Sequence, residues 1–157
     1  MPRRHFNSFL LSLLALCLGC GLSRAADPGI DEDDADVKTL IYTRHFGFGP
    51  INADGQITEG EGALKRILKK DGAVKRLFPV IDHATLAGKC YALAGIRLLA
   101  PSAFDDFQKQ LEPWNTGKVR TVVTGKKAEE KFADVVALIK TGLYNDYLTS
   151  ANEAGAK

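Results

Sequence analysis

The chain has 157 residues, 25% of them charged, and a formal net charge of +2 at pH 7. Three basic residues, Arg3, Arg4 and Arg24, lie in a predicted export signal, so the remaining chain of about 130 residues has a net charge of about −1. The basic isoelectric point of the whole chain therefore does not indicate nucleic-acid binding. We expect no nucleic acid among the partners. The length predicts one ordinary domain with its own hydrophobic core.

Residues 1–25 show the three parts of a signal peptide: a basic start, about ten apolar residues and a region of small residues. Two processing routes fit the end of this segment. Ser23-Arg24-Ala25 suits ordinary signal peptidase, whereas Leu16-Cys17-Leu18-Gly19-Cys20 resembles a lipoprotein box that would place a lipid on Cys20. Cys17 departs from that box, which normally has an aliphatic residue there. The protein is expected to be periplasmic or secreted, or else an outer-membrane lipoprotein that meets the membrane only through Cys20.

Residues 26–36 are rich in acids and contain one large apolar residue, Ile30, which predicts a disordered acidic leader. Val37 to Thr43 is enriched in β-branched and aromatic residues and predicts a short strand. Val119 to Thr124 predicts a second strand. The two are expected to pair as a small ribbon with helices packed against it.

The segment Asn52–Glu61 resembles most of an EF-hand calcium loop, with its turn glycine and its terminal Glu61 at the family's spacing. Pro50 stands at the first ligand position and has no side-chain oxygen. The same residues also predict a simple turn at Asp54-Gly55, followed by a helix cap formed by Thr58 with Glu61. We expect the turn and the cap, and calcium binding stays open.

Helices are predicted at about 59–70, 73–81, 86–99, 102–111 and 126–141, with a short aromatic segment at 143–148. The helix at 86–99 is expected to be central, because Lys89 and Arg97 are its only charged residues. Gly88 and Gly95 fall on one side of it and allow another segment to approach closely. The sequence thus predicts a mainly α fold: a compact, monomeric helical domain over 37–148 with at most a two-stranded β ribbon, and a frayed end over 149–157.

Two resemblances concern the middle of the chain. A helix containing Pro79 followed by the helix at 86–99 resembles one HEAT-type helical hairpin. Residues 87–96, followed by Phe104, resemble the Gly-Lys/Arg-x-Tyr-Ala-Leu-x-Gly-Leu helix of a group of uncharacterised secreted bacterial proteins. This second resemblance covers about residues 60–142 and implies tight helix packing, but no activity.

Familiar catalytic sets are missing from the sequence. Cys90, His83 and Asp82 are close along the chain, but Cys90 lies inside an apolar helix, which predicts a buried and inert thiol. After ordinary cleavage Cys90 is also the only cysteine, so no intramolecular disulfide can form. One cysteine with His45 and His83 does not make a zinc set, and no phosphate loop or nucleophile elbow is present. No cofactor is therefore expected.

Basic residues are concentrated on one surface of the predicted helix at 59–70 and at the start of the next helix. We call them the basic helix face: Lys65, Arg66, Lys69, Lys70, Lys75 and Arg76. The first four span about 140° of the helix without an intervening acid. Either they are ordinary solvated surface, or the acidic leader folds back on them, or they meet an anionic partner such as lipid headgroups or an acidic envelope polymer.

The sequence favours an exported, non-catalytic helical protein that binds another macromolecule in the cell envelope, either an anionic component or another protein. The alternative is a small exported hydrolase that uses surface carboxylates such as Asp105, Asp106 or Glu112.

Overall fold

The structure is a computed structural model that describes residues 34–150. The predicted signal at 1–25, the lipidation site Cys20, most of the acidic leader and residues 151–157 lie outside the described residues. Within 34–150 the chain is mainly helical, with seven α-helices and one two-stranded antiparallel sheet. The predicted fold class, mainly α with a small β ribbon, is confirmed.

The elements follow one another as α1 (Ala35–Tyr42), α2 (Glu59–Leu68), α3 (Ala73–His83), α4 (Leu86–Leu99), α5 (Pro101–Gln110), a 3-10 turn (Glu112–Trp114), β1 (Lys118–Val123), β2 (Lys126–Lys131), α6 (Phe132–Lys140) and α7 (Asn145–Thr149).

Helix α4 is the centre of the fold, as predicted. The Thr85 hydroxyl accepts the backbone N–H of Gly88 and caps the helix, and every residue from Ala87 to Ile96 is buried. All six other helices and β1 contact α4. The helix therefore has no solvated face along most of its length, which explains its nearly continuous apolar sequence.

The two glycines of α4 mark its closest contacts. A Cβ added to Gly88 would overlap the carbonyl oxygen of Leu40 in α1. At Gly95 an added Cβ would lie 2.7 Å from Cδ1 of Leu77 in α3. The glycines thus let α1 and α3 pack against the axis of α4, which is the role that the sequence predicted for them.

The predicted strand at Val37 to Thr43 is wrong, because this segment forms α1. The side chain of Asp34 accepts the backbone N–H of Asp36 at 3.1 Å and caps the helix. Val37, Leu40 and Ile41 recur at helical spacing and are buried. Packing of this apolar face outweighs the β-propensity of the segment. Asp34 to Asp36, the last three residues of the predicted disordered leader, therefore belong to the cap and first turn of α1.

The predicted helix at 126–141 is wrong in its first six residues, which form β2, while α6 confirms the remainder. The predicted strand at Val119 to Thr124 is confirmed as β1, but its partner is β2 rather than residues 37–43. Val123 pairs with Lys126, so the loop holds two residues, Thr124 and Gly125, with φ of 47° and 77°. Positive φ at both positions is typical of the type I′ turns that close hairpins.

Residues 44–49 run alongside β1 on the side away from β2. The N–H of Phe46 donates to the carbonyl of Arg120 and the N–H of Val122 donates to the carbonyl of Phe46, both at 2.8 Å. The ring of Phe46 then packs 4.9 Å from that of Tyr91, measured between centroids. These contacts hold the preceding residue, His45, beside the hairpin.

Candidate functional site

The basic helix face is largely neutralised within the chain. Four of its six residues have carboxylate partners: Lys65 pairs with Glu61 at 2.7 Å, Arg66 with Asp36 at 2.7 Å, Lys70 with Asp34 at 2.9 Å and Asp36 at 3.0 Å, and Arg76 with Asp34 at 3.1 Å. Lys69 and Lys75 are exposed and form no ion pair with any residue of the described part. Asp34 and Asp36, from the predicted leader, thus fold back on this face.

We call Asp34, Asp36, Arg66, Lys70 and Arg76 the acid clasp. Burial disfavours ionisation of Asp34, but hydrogen bonds from Lys70 and from the backbone N–H of Asp36 outweigh it and lower its pKa. The pKa of Asp36 is lowered in the same way, since burial is outweighed by hydrogen bonds from Arg66 and Lys70. The clasp therefore attaches α1 to α2 and α3 electrostatically.

We expect the acid clasp to make folding stability depend on pH. Both folded pKa values are below the ordinary 3.8, so the stabilisation is complete above that value and is lost as pH falls through the lowered values. The double variant Asp34→Asn and Asp36→Asn should lose about 1–2 kcal/mol of unfolding free energy at neutral pH. Urea unfolding at neutral pH and at about pH 2 measures both effects.

The control for this prediction is Asp106→Asn, which removes a carboxylate that is 79% exposed and pairs with Lys109 at 3.5 Å. Its stability should stay within about 0.5 kcal/mol of wild type. If the unfolding free energy of the double variant fell as much between neutral pH and about pH 2 as that of wild type, the role of the clasp would be contradicted.

The EF-hand-like segment forms the turn and the cap. Gly55 has a φ of 74° and its N–H donates to the carbonyl of Asn52 at 3.2 Å, while the Thr58 hydroxyl accepts the N–H of Glu61 at 3.1 Å. The buried Glu61 carboxylate accepts the N–H of Gly49 at 2.8 Å and pairs with Lys65. No group of three or more His, Cys, Asp or Glu within residues 34–150 is arranged to hold a metal ion.

The other residues considered for chemistry are not brought together. Cys90 is fully buried, as predicted, and burial raises the pKa of its thiol, whereas His83 is exposed at the end of α3. Asp105 is exposed and binds Lys140 at 2.8 Å. Asp106 and Glu112 are also exposed.

The pairing register of β1 with β2 places basic residues on the outer side of the β-hairpin. Lys118 pairs with Lys131 and Arg120 with Glu129 across the strands, and Lys127 lies two residues before Glu129. Directly opposed residues share a face, and positions two apart in a strand do too. We call this surface the cationic hairpin face: Lys118, Arg120, Lys127 and Lys131, with Glu129 as its acid.

Sequence reasoning missed the cationic hairpin face. The sequence predicts a helix over residues 126–131, in which Lys127 and Lys131 have no fixed relation to Arg120. The local signal for the hairpin is the turn glycine Gly125 after the alternating segment Lys118 to Val122, whereas residues 126–131 do not alternate between polar and apolar. Val119 and Thr121 are buried while Lys118 and Arg120 between them are exposed, so these two basic residues of β1 are directed outwards.

Two open cavities adjoin this face and share His45 and Lys127. One of about 540 Å³ is also lined by Arg120, Ala128 and Glu129. The other, of about 490 Å³, extends to Tyr42, Thr43, Arg44, Ile51, Thr58, Glu59, Val122 and Gly125. We call the two together the His45 cleft.

His45 is half-buried in this cleft among cations. Burial lowers the pKa of its imidazole, and Lys127, Arg120 and Arg44 lower it further by repelling the protonated form. Phe46 is buried and bonded between Arg120 and Val122, so its neighbour His45 lies on the opposite, outer side of this extended segment. The cleft therefore combines three cationic side chains with an imidazole whose protonated form is disfavoured.

Comparison with protein-family models, with curated proteins and with solved structures gives no match. The predicted resemblances to a HEAT-type hairpin and to secreted bacterial proteins thus stay predictions. In the part of the chain that the structure describes, no helix is both long and apolar enough to cross a membrane.

Proposed function

We propose that the protein is an exported, non-catalytic module that binds an anionic component of the cell envelope through the cationic hairpin face. The observation that supports this proposal is the register of β1 and β2, which gathers four cations and one acid on a single outer surface. A local positive field of this kind attracts an anionic partner even when the whole chain is close to neutral.

The two basic surfaces differ in how well their charges are already paired. The ion pairs of the acid clasp lie between 2.7 and 3.1 Å, and the side chain of Asp34 is only 4% exposed. On the hairpin, Arg120 and Lys118 lie 3.7 and 3.9 Å from Glu129, whose side chain is 52% exposed. Exposed, loosely paired cations lose little when they change partners, which favours the hairpin as the binding surface.

The hydrolase alternative gains no support from the contacts of its residues. Asp105 and Asp106 pair with lysines on the surface. No observation favours it over binding.

The test is a matched pair of double variants. Lys118→Gln with Lys131→Gln removes two charges from the cationic hairpin face, and Lys69→Gln with Lys75→Gln removes two from the basic helix face. The full chain is expressed and purified from its native envelope, and its binding to envelope material is measured at about 50 and 300 mM salt. The hairpin variant should bind about tenfold more weakly at low salt, and the other variant should match wild type.

Circular dichroism checks that both variants are folded. Equal binding by all three proteins, or a loss confined to the Lys69 and Lys75 variant, would overturn the assignment to the hairpin.

A further inference from the structure

The His45 cleft is a concave part of the cationic surface with a composition of its own. Arg44, Arg120 and Lys127 surround His45, and they come from three separate stretches of chain that tertiary structure brings together. The hydrogen bonds between Phe46 and β1 hold the backbone of His45 beside that of Arg120, so the fold itself brings these two residues together.

The cations of the cleft outnumber its acids. Glu129 and Glu59 also line it. The net charge of the lining is therefore +1 while His45 is neutral and +2 when His45 is protonated. Two of the cations are arginines, whose planar guanidinium groups donate paired hydrogen bonds to phosphate and carboxylate oxygens. Such a lining suits an oxyanion that carries up to two charges.

We propose that the His45 cleft binds a phosphoryl group, with Arg120 and Lys127 as its charge partners and His45 as a hydrogen-bond donor that gains a second N–H and a positive charge when it is protonated. This inference rests on the proposed function, because the phosphoryl group is the part of the anionic envelope component that enters the cleft. The same chemistry is offered by a lipid headgroup, by a phosphate-bearing polymer and by free phosphate.

Binding of the anion is linked to the proton on His45. The groups that face His45 are the cations Lys127, Arg120 and Arg44 and, along the cleft, the acids Glu129 and Glu59. A bound phosphoryl group offsets the repulsion from the cations, so the pKa of His45 rises on binding. By reciprocity, the affinity for the anion increases as pH falls through the range in which His45 titrates.

The experiment follows the ring C–H signals of His45 and His83 by NMR in the full chain purified after export. Each is titrated with pH in the absence and presence of inorganic phosphate, and again with sulfate, which does not change its own charge in this range. We expect both anions to raise the pKa of His45. His83 is exposed at the end of α3 and is an internal control that should not respond.

Arg120→Gln should weaken phosphate binding about tenfold, since it removes a charged hydrogen-bond donor. The Lys69→Gln and Lys75→Gln variant is the matched control and should bind like wild type. Arg120 is 61% exposed, and thermal unfolding checks that its substitution leaves the fold intact.

Vesicles of phosphatidic acid, compared with phosphatidylcholine alone, show whether a lipid headgroup is also accepted as the source of the phosphoryl group. A pKa of His45 that does not rise, or that changes together with that of His83, overturns the phosphoryl site. If envelope material still binds through Lys118 and Lys131 in that case, the proposed function stands and only the site within the cleft is wrong.

Discussion

Gly88→Ala is expected to lower the unfolding free energy by about 2–4 kcal/mol, because the added methyl group has no space between α4 and α1. It would overlap the backbone oxygen of Leu40 and lie 2.7 Å from Cβ of Ala84. Neither neighbour is a flexible side chain, so two backbone segments have to separate. The gain of about 1 kcal/mol in helix propensity is too small to offset this cost.

The matched control is Gly62→Ala, the same change inside α2. Its added Cβ would lie 3.3 Å from Nη1 of Arg66, the end of a flexible side chain, and 3.9 Å from Cδ1 of Ile57. This variant should be unchanged or more stable by up to about 1 kcal/mol. Urea unfolding followed by circular dichroism measures both. If the two variants had the same stability, the close approach of α1 to α4 would be wrong.

Tyr91→Phe is expected to cost about 2–3 kcal/mol, although the ring stays and no large cavity forms. The phenolic oxygen accepts the N–H of Gly47 at 3.0 Å and donates to the carbonyl of Gly47 at 2.7 Å. It also lies 2.6 Å from the hydroxyl of Thr58. Without it the N–H of Gly47 is buried and loses its partner, and the carbonyl keeps only the longer bond from Thr58, at 3.2 Å.

Tyr42→Phe is the control, because Tyr42 is 74% exposed and its hydroxyl is solvated in both folded and unfolded chains. Its stability should stay within about 0.5 kcal/mol of wild type. Hydrogen exchange of the Gly47 amide provides a local measurement. An amide that remains equally protected in Tyr91→Phe would show that Tyr91 does not anchor this segment.

Tyr91 also connects the core to the proposed binding site. Its hydroxyl holds Gly47 in the same segment that carries Arg44 and His45. We therefore expect Tyr91→Phe to weaken phosphate binding at the His45 cleft as well as stability, since the segment becomes less fixed beside β1.

Some features of this fold are determined by residues that are close in sequence. The central helix follows from the cap at Thr85 and the continuous apolar run after it, and α2 follows from Thr58 together with an apolar stripe. Burial of Cys90 follows from its place inside that run. Helix caps and helical periodicity involve residues within a few positions of one another, so both can be predicted directly from the sequence.

Other features were decided only by tertiary structure. Residues 37–42 have the propensity of a strand, yet they become helical because Leu40 and its neighbours bury a face against α4. The acid clasp joins Asp34 to Lys70 and Arg76 across more than thirty positions, and the sequence offers such a contact of the leader only as one of three alternatives. The cationic hairpin face depends on register, which the two-residue turn and the burial of Val119 determine together. The sequence reveals a charge but not its neighbours, because distance in space depends on how all the elements pack.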